Sequence, residues 1–334
     1  MDLSSLLVAP VLFFALGVFM QLVGSDFKFP GEASKALSIY LLAGIGLHGG
    51  AELGQAALGT ALHAVLAAAL LGFGLPLIGY ALLRRLCRLD RYNAAAIAAH
   101  YGSVSAGTFL AAVAWLQARE LPYEGTTVVM LAVMESPAIL VALLLAQYAR
   151  RSEPQRKPPP AGAAGAHGPL AGMRGLLADA FTHGSVLLLL GSMAIGALIT
   201  ERSYASVKPF FEGVFMGALC LFLLEMGLEA ARRLAEFRAV GLRLAAFGIG
   251  MPLLGGAIGL AVGHAWLGYG PGGTLLVAVL GASASYIAVP PAVRLAIPEA
   301  NPSFYLTLSL GITFPFNVVL GIPLYYALAA RLAS

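Results

Sequence analysis

LGFGLPLIGYAL (Leu71 to Leu82) and FGIGMPLLGGAI (Phe247 to Ile258) agree at six of twelve aligned positions, at an offset of 176 residues. Further along, Gly102-Ser103-Val104-Ser105-Ala106 aligns with Ala282-Ser283-Ala284-Ser285-Tyr286, and Pro122 with Pro302, both at an offset of 180. Small residues recur in any packed apolar helix, as Gly255, Gly259 and Gly263 do. Matches kept in order through three paired segments instead read as an internal duplication.

The material that is duplicated is apolar. Of 334 residues 59% are hydrophobic and 11% charged, against roughly 25% charge in an ordinary soluble domain. A helix needs about 20 apolar residues to cross a bilayer. Ten stretches bounded by charge or Pro/Gly qualify, at 5–24, 34–51, 56–83, 92–117, 122–149, 176–199, 210–230, 239–267, 272–298 and 303–331. The first, Leu6 to Val23, has no basic leader or cleavage site and reads as a retained span.

The expected fold is therefore an all-α integral membrane protein with ten transmembrane helices. Residues 1–149 form one five-helix repeat and 176–334 the second. Residues 150–175, rich in Pro, Gly and Ala, form a linker too poor in apolar groups to pack a core. An odd number of spans per repeat inverts the second repeat in the membrane, an architecture common in secondary transporters. With the N-terminus outside, 16 of the 20 Lys and Arg residues fall on the cytoplasmic side, leaving Arg119, Arg202, Lys208 and Arg331. That bias sets the orientation, with the linker cytoplasmic and both termini extracytoplasmic.

Several function classes are excluded. The net charge of +4 comes from short basic clusters between apolar runs, which are topology signals and not a nucleic-acid surface. Cys87 and Cys220 lack the spacing of a disulfide framework or a zinc site. No metal-ligand motif such as H-E-x-x-H and no nucleophile–base pairing points to an enzyme.

What the repeat preserves is interruption. Spans four and nine carry HYGSVSAGTF (His100 to Phe109) and GASASYIAVPP (Gly281 to Pro291) near their middles. A proline pair suits the first turn of a new helix. Two broken, antiparallel spans direct two half-helix N-termini at a shared point, where N–H groups and dipole ends favour a small anion. The anion segments are Ser103, Val104, Ser105, Ala106, Gly107 and Thr108 with Ser283, Ala284, Ser285 and Tyr286. Their hydroxyls add neutral donors. A single Ser-x-Ser is more often back-bonding to a carbonyl; its recurrence at equivalent positions favours binding.

Spans five and ten carry Met134-Glu135-Ser136-Pro137 and Ile312-Thr313-Phe314-Pro315-Phe316-Asn317. Each proline frees a carbonyl four residues earlier, at Val133 and Gly311. With Glu135, Ser136, Thr313 and Asn317 these are hard oxygen ligands, fit for sodium or for a proton-carrying acid. His48, His100 and Glu225 read as structural hydrogen-bonding groups.

With GIGLHGGAEL (Gly44 to Leu53), YGSVSAGTF (Tyr101 to Phe109), MESPA (Met134 to Ala138), EMGLEA (Glu225 to Ala230) and SASYIAVPPAVRLAIPEANPSFY (Ser283 to Tyr305), the chain resembles the sodium-dependent bicarbonate symporter family first known from cyanobacteria. The resemblance implies two inverted repeats, a mobile core moving against a scaffold, and a homotrimer in a bacterial inner membrane. It also implies bicarbonate between the broken helices with sodium as coupling ion, no other cofactor, and a PII-like cytoplasmic regulator. By position, Ser103, Ser105, Gly107, Thr108, Ser283 and Ser285 serve the anion and Glu135 the cation. Cyanobacterial members have an acidic residue where this chain has Tyr286, and a longer linker. The expected function is sodium-coupled bicarbonate symport with elevator-like alternating access. The alternatives are sodium- or proton-coupled transport of another small anion or carboxylate, or an anion-binding membrane sensor or scaffold.

Overall fold

The structure, a computed structural model, describes residues 8–54, 58–135, 137–152, 184–234 and 237–334. Ser136 and most of the expected linker lie outside the described residues. No strand occurs among those described. The helices are α1 (Ala9–Leu22), α2 (Gly31–Leu53), α3 (Leu58–Arg85), α4 (Arg91–Gly102), α5 (Ala106–Gln117), α6 (Thr126–Met134) and α7 (Pro137–Ser152). They continue with α8 (Gly184–Leu198), α9 (Glu201–Phe211), α10 (Phe215–Leu234), α11 (Phe237–Ala261), α12 (Pro271–Ala282), α13 (Val289–Ala296) and α14 (Pro302–Leu332).

Every one of the ten apolar stretches carries a helix or a pair of helices. Among the described residues, five helices can cross a membrane by length and composition, at 59–85, 91–117, 126–150, 241–266 and 302–332. Taken together, α9 and α10, bent by 42°, make a sixth. The surface of α3 shows the solvent it was built for. Leu62, Leu66, Leu70, Phe73 and Leu77 line one face, each at least 44% exposed. That stripe runs for roughly 22 Å at 1.5 Å per residue, and lipid rather than water accommodates it.

Two local features depart from the sequence expectation. Residues 200–209 fall between two of the apolar stretches, yet α9 forms there with no buried residue, started by Thr200, whose hydroxyl accepts the Ser203 N–H at 3.4 Å. It is polar on average, and Pro209 stands in its last turn. In span ten, Pro315 does not interrupt the helix. Wide π turns at Thr307–Thr313 and Asn317–Gly321 flank it, absorbing the missing N–H within a continuous α14.

The helices pack in two groups. One comprises α1 against α10 and α2 against α8. Lipid removes the hydrophobic drive between helices, so close backbone approach through small residues has to hold them. A Cβ on Gly227 would lie 2.2 Å from the Phe14 carbonyl oxygen, and one on Gly17 2.0 Å from that of Leu224. Between α2 and α8, Gly50 and Gly196 stand equally close to the Met193 and Leu47 carbonyls, at 2.0 and 2.1 Å. The other group holds α3 to α7 and α11 to α14. In it Gly255 and Gly281 approach each other's carbonyls, at 2.0 and 2.4 Å for an added Cβ.

Candidate functional site

Asp90 starts α4 by accepting the N–H groups of Tyr92 and Asn93, both at 3.0 Å. The helix stops at Gly102, the chain runs extended through Ser103 and Ser105, and α5 begins at Ala106. Likewise α12 stops at Ala282, Ser283 is extended, and α13 begins only at Val289. Extended backbone inside a protein must find partners for its polar groups. Each interruption supplies the other: the Ser105 N–H donates to the Ser283 hydroxyl at 3.0 Å, and the Ser285 N–H to the His100 carbonyl at 2.8 Å. Ser103, Ser105, Thr108, Ser283 and Ser285 are all at most 3% exposed.

The two half-helix openings differ in what they offer. The Ser105 hydroxyl caps α5, accepting from the Thr108 N–H at 3.2 Å and the Thr108 hydroxyl at 3.0 Å. The N–H groups of Ala106 and Gly107 have no carbonyl of their own helix to reach. In α13, Val289 is followed by Pro290 and Pro291, which carry no N–H. The expected pair of donor-bearing ends is thus one donor-rich end and one that contributes mainly its dipole.

A cavity of about 1230 Å³ lies where the two helix groups meet. The larger group lines it with Val104, Ser105, Ala106, Glu135, Ser285 and Tyr286; α2 and α10 contribute Ser34, Ser38, Phe222 and Met226. Lys35, Glu229, Arg233 and Arg294 add charge to the lining. Of the other anion candidates, Ser103, Gly107, Thr108, Ser283 and Ala284 are packed into the crossing behind the cavity wall. The Ser103 hydroxyl donates to the Glu135 carbonyl at 3.3 Å.

Glu135, the α6 C-cap, is 6% exposed, and its Oε2 has no hydrogen-bond partner among the described residues. The other cation candidates are placed differently. Val133 is half-buried against the core. Thr313 donates to the Gly248 carbonyl at 2.6 Å and meets the Tyr101 hydroxyl at 2.6 Å. The Asn317 amide donates to the Ala282 carbonyl at 2.8 Å, and its oxygen accepts from Tyr325 at 3.4 Å. Gly311 packs on the Arg233 backbone. Of this set only Glu135 faces the cavity, and Ser136 is outside the described residues. No cluster of three His, Cys, Asp or Glu side chains forms among the described residues.

The three side chains read as structural have partners. His48 Nδ1 stands 3.2 Å from the Tyr204 hydroxyl, His100 Nδ1 is 2.7 Å from the Ala96 carbonyl, and Glu225 accepts from Ser34. The contribution of α2 and α10 to the cavity was not read from the sequence. A signal was there: Phe222, Met226, Glu229 and Arg233 recur every three or four residues, and the last two are among the four charged residues, with Glu225 and Arg232, that end an otherwise apolar helix. Arg233 Nε donates to Glu229 at 2.9 Å.

Apolar helices that hold a cavity between two packing groups, walled on one side by a pair of interrupted helices, have an arrangement that suits a multi-pass membrane transporter. The family model of the Na+-dependent bicarbonate transporter superfamily matches residues 9–330. The chain belongs to that superfamily. No curated relative matches the chain significantly.

Proposed function

We propose that the chain is a sodium-coupled bicarbonate symporter of a bacterial inner membrane, working by an elevator-like movement of α3–α7 and α11–α14 against a scaffold of α1, α2, α8 and α10. One observation carries the reading. The cavity at the junction of the two groups joins the donor-bearing α5 opening to the carboxylate of Glu135, which has no ion-pair partner among the described residues. An anion entering beside an uncompensated carboxylate needs a cation with it, because burying like charges together is costly. That need is the physical basis for coupling to sodium.

The contacts support a reading as ten spans in two inverted repeats. Duplication relates α1 to α8 and α2 to α10, so the pair α1–α10 maps onto the pair α8–α2, and these are the pairs that pack. Span five meets the interruption of span four through Ser103 and the Glu135 carbonyl; span ten meets that of span nine through Asn317 and the Ala282 carbonyl. Lys35, Arg233 and Arg294 line the cavity and belong to the side that charge bias assigns to the cytoplasm, so the captured state is inward-facing, with both termini outside. The family resemblance extends the proposal to a homotrimer with a PII-like cytoplasmic regulator.

The test is uptake of radiolabelled bicarbonate into proteoliposomes with and without an inward sodium gradient, with competing anions at several pH values. Gradient-dependent uptake is expected. Uptake that is unchanged without sodium removes the coupling, and stronger competition by a carboxylate replaces the cargo.

A further inference from the structure

The Tyr286 hydroxyl lies at the mouth of α5. A Cβ on Gly107 would come within 2.2 Å of it, and within 3.2 and 3.4 Å of ring atoms of Phe222 and Phe314. The Tyr286 ring meets that of Phe314 edge-on at 5.4 Å between centroids. Three aromatic side chains therefore wall the opening, and one presents a polar atom to it. That oxygen is buried, and among the described residues no partner meets hydrogen-bond geometry with it, although the Ser105 side chain is close enough to interact with it. A buried polar atom without a partner is costly to keep, so its place demands an explanation.

We propose that Tyr286 determines the anion specificity of this site: its hydroxyl supplies the donor that Pro290 and Pro291 delete from the α13 opening, and its ring limits the occupant to a small, singly charged oxyanion. The inference rests on the function proposed above. The N–H of Ala106, a cavity-lining residue with no carbonyl of its own helix to reach, and the phenol O–H are both donors, and a ligand that satisfies them must bring acceptors only. One ligand oxygen faces the α5 opening and another faces Tyr286, which requires at least two oxygens a short distance apart. The cationic side chains of the cavity, Lys35, Arg233 and Arg294, belong to α2, α10 and the last turn of α13, not to this aromatic opening. A second negative charge on the ligand would find no neutralising side chain at the opening.

The experiment is binding of radiolabelled bicarbonate, at saturating sodium, to the full-length protein in nanodiscs, for wild type, Tyr286→Phe and Tyr286→Ala, with acetate and oxalate as competitors. Tyr286→Phe keeps the ring against Phe314 and removes only the O–H. It should raise the bicarbonate concentration for half-saturation by roughly ten- to a hundredfold and leave the sodium requirement intact. Tyr286→Ala should let acetate compete where it does not in wild type. Wild-type bicarbonate affinity in the Phe variant, or unchanged competition in the Ala variant, overturns the proposal. Wild-type protein that neither binds nor takes up bicarbonate overturns the functional reading itself, and the inference with it.

Discussion

The backbone N–H of Ser105 donates to the hydroxyl of Ser283 across the crossing of the two interrupted helices, at 3.0 Å. The Ser283 hydroxyl itself donates to the Leu280 carbonyl at 3.2 Å, so one side chain closes the end of α12 and satisfies the start of α5. A residue first read as a donor to the anion is built into the seam that holds the site in shape.

This gives the two equivalent serines different weights. Ser283→Ala leaves the Ser105 N–H buried without an acceptor and should cost roughly 1–3 kcal/mol. Ser103→Ala removes only a long bond to the Glu135 carbonyl and should cost less than about 1 kcal/mol. Thermal unfolding of both variants in detergent checks the order; equal losses would contradict it.

Glu135→Gln keeps the shape of the side chain and removes its charge. Sodium-dependent uptake should fall roughly tenfold or more, while the protein still assembles and elutes as wild type does. Retained gradient-dependent uptake in proteoliposomes would take Glu135 out of the cation site.

The scaffold depends on backbone contact at Gly50, where an added Cβ would sit 2.0 Å from the Met193 carbonyl. Gly50→Ala should therefore destabilise by roughly 1–3 kcal/mol. Gly191 on the partner helix α8 has nothing within 4 Å of an added Cβ, and Gly191→Ala should be neutral or stabilising by up to about 1 kcal/mol. Thermal unfolding of the pair separates tight packing from a general intolerance of α2 and α8 to substitution.

The inward-facing orientation proposed for the cavity has a sidedness that thiol labelling can read. With Cys87 and Cys220 replaced, a cysteine at Ile39 or Ala288, both on the cavity lining, should react with a membrane-impermeant maleimide added from the cytoplasmic side and not from outside. Labelling from outside alone would reverse the assigned orientation.

Much of this was legible in the chain because it depends on local chemistry. Helices appear at all ten apolar stretches. The helices α4 and α12 stop at Gly102 and Ala282, where the sequence loads small and hydroxyl residues, and Pro137 restarts a helix after Glu135 as a proline at a first turn should. Pro315 behaves otherwise, because the consequence of a helix-interior proline depends on whether neighbours let the turn widen, and here they do.

By itself, then, the sequence determined an apolar chain with recurring motifs, the points at which its helices are interrupted, and a buried carboxylate beside one of them. Each follows from transfer free energy and backbone chemistry acting over a few residues. Only the tertiary structure decided which oxygen-bearing side chains face open space. Thr313 and Asn317 spend their hydrogen bonds on Gly248 and Ala282, whereas Glu135 and Tyr286 each keep a polar atom with no hydrogen-bond partner among the described residues. Composition assigns such groups the same chemistry; whether a partner stands within 3 Å is set by helices brought together from distant parts of the chain.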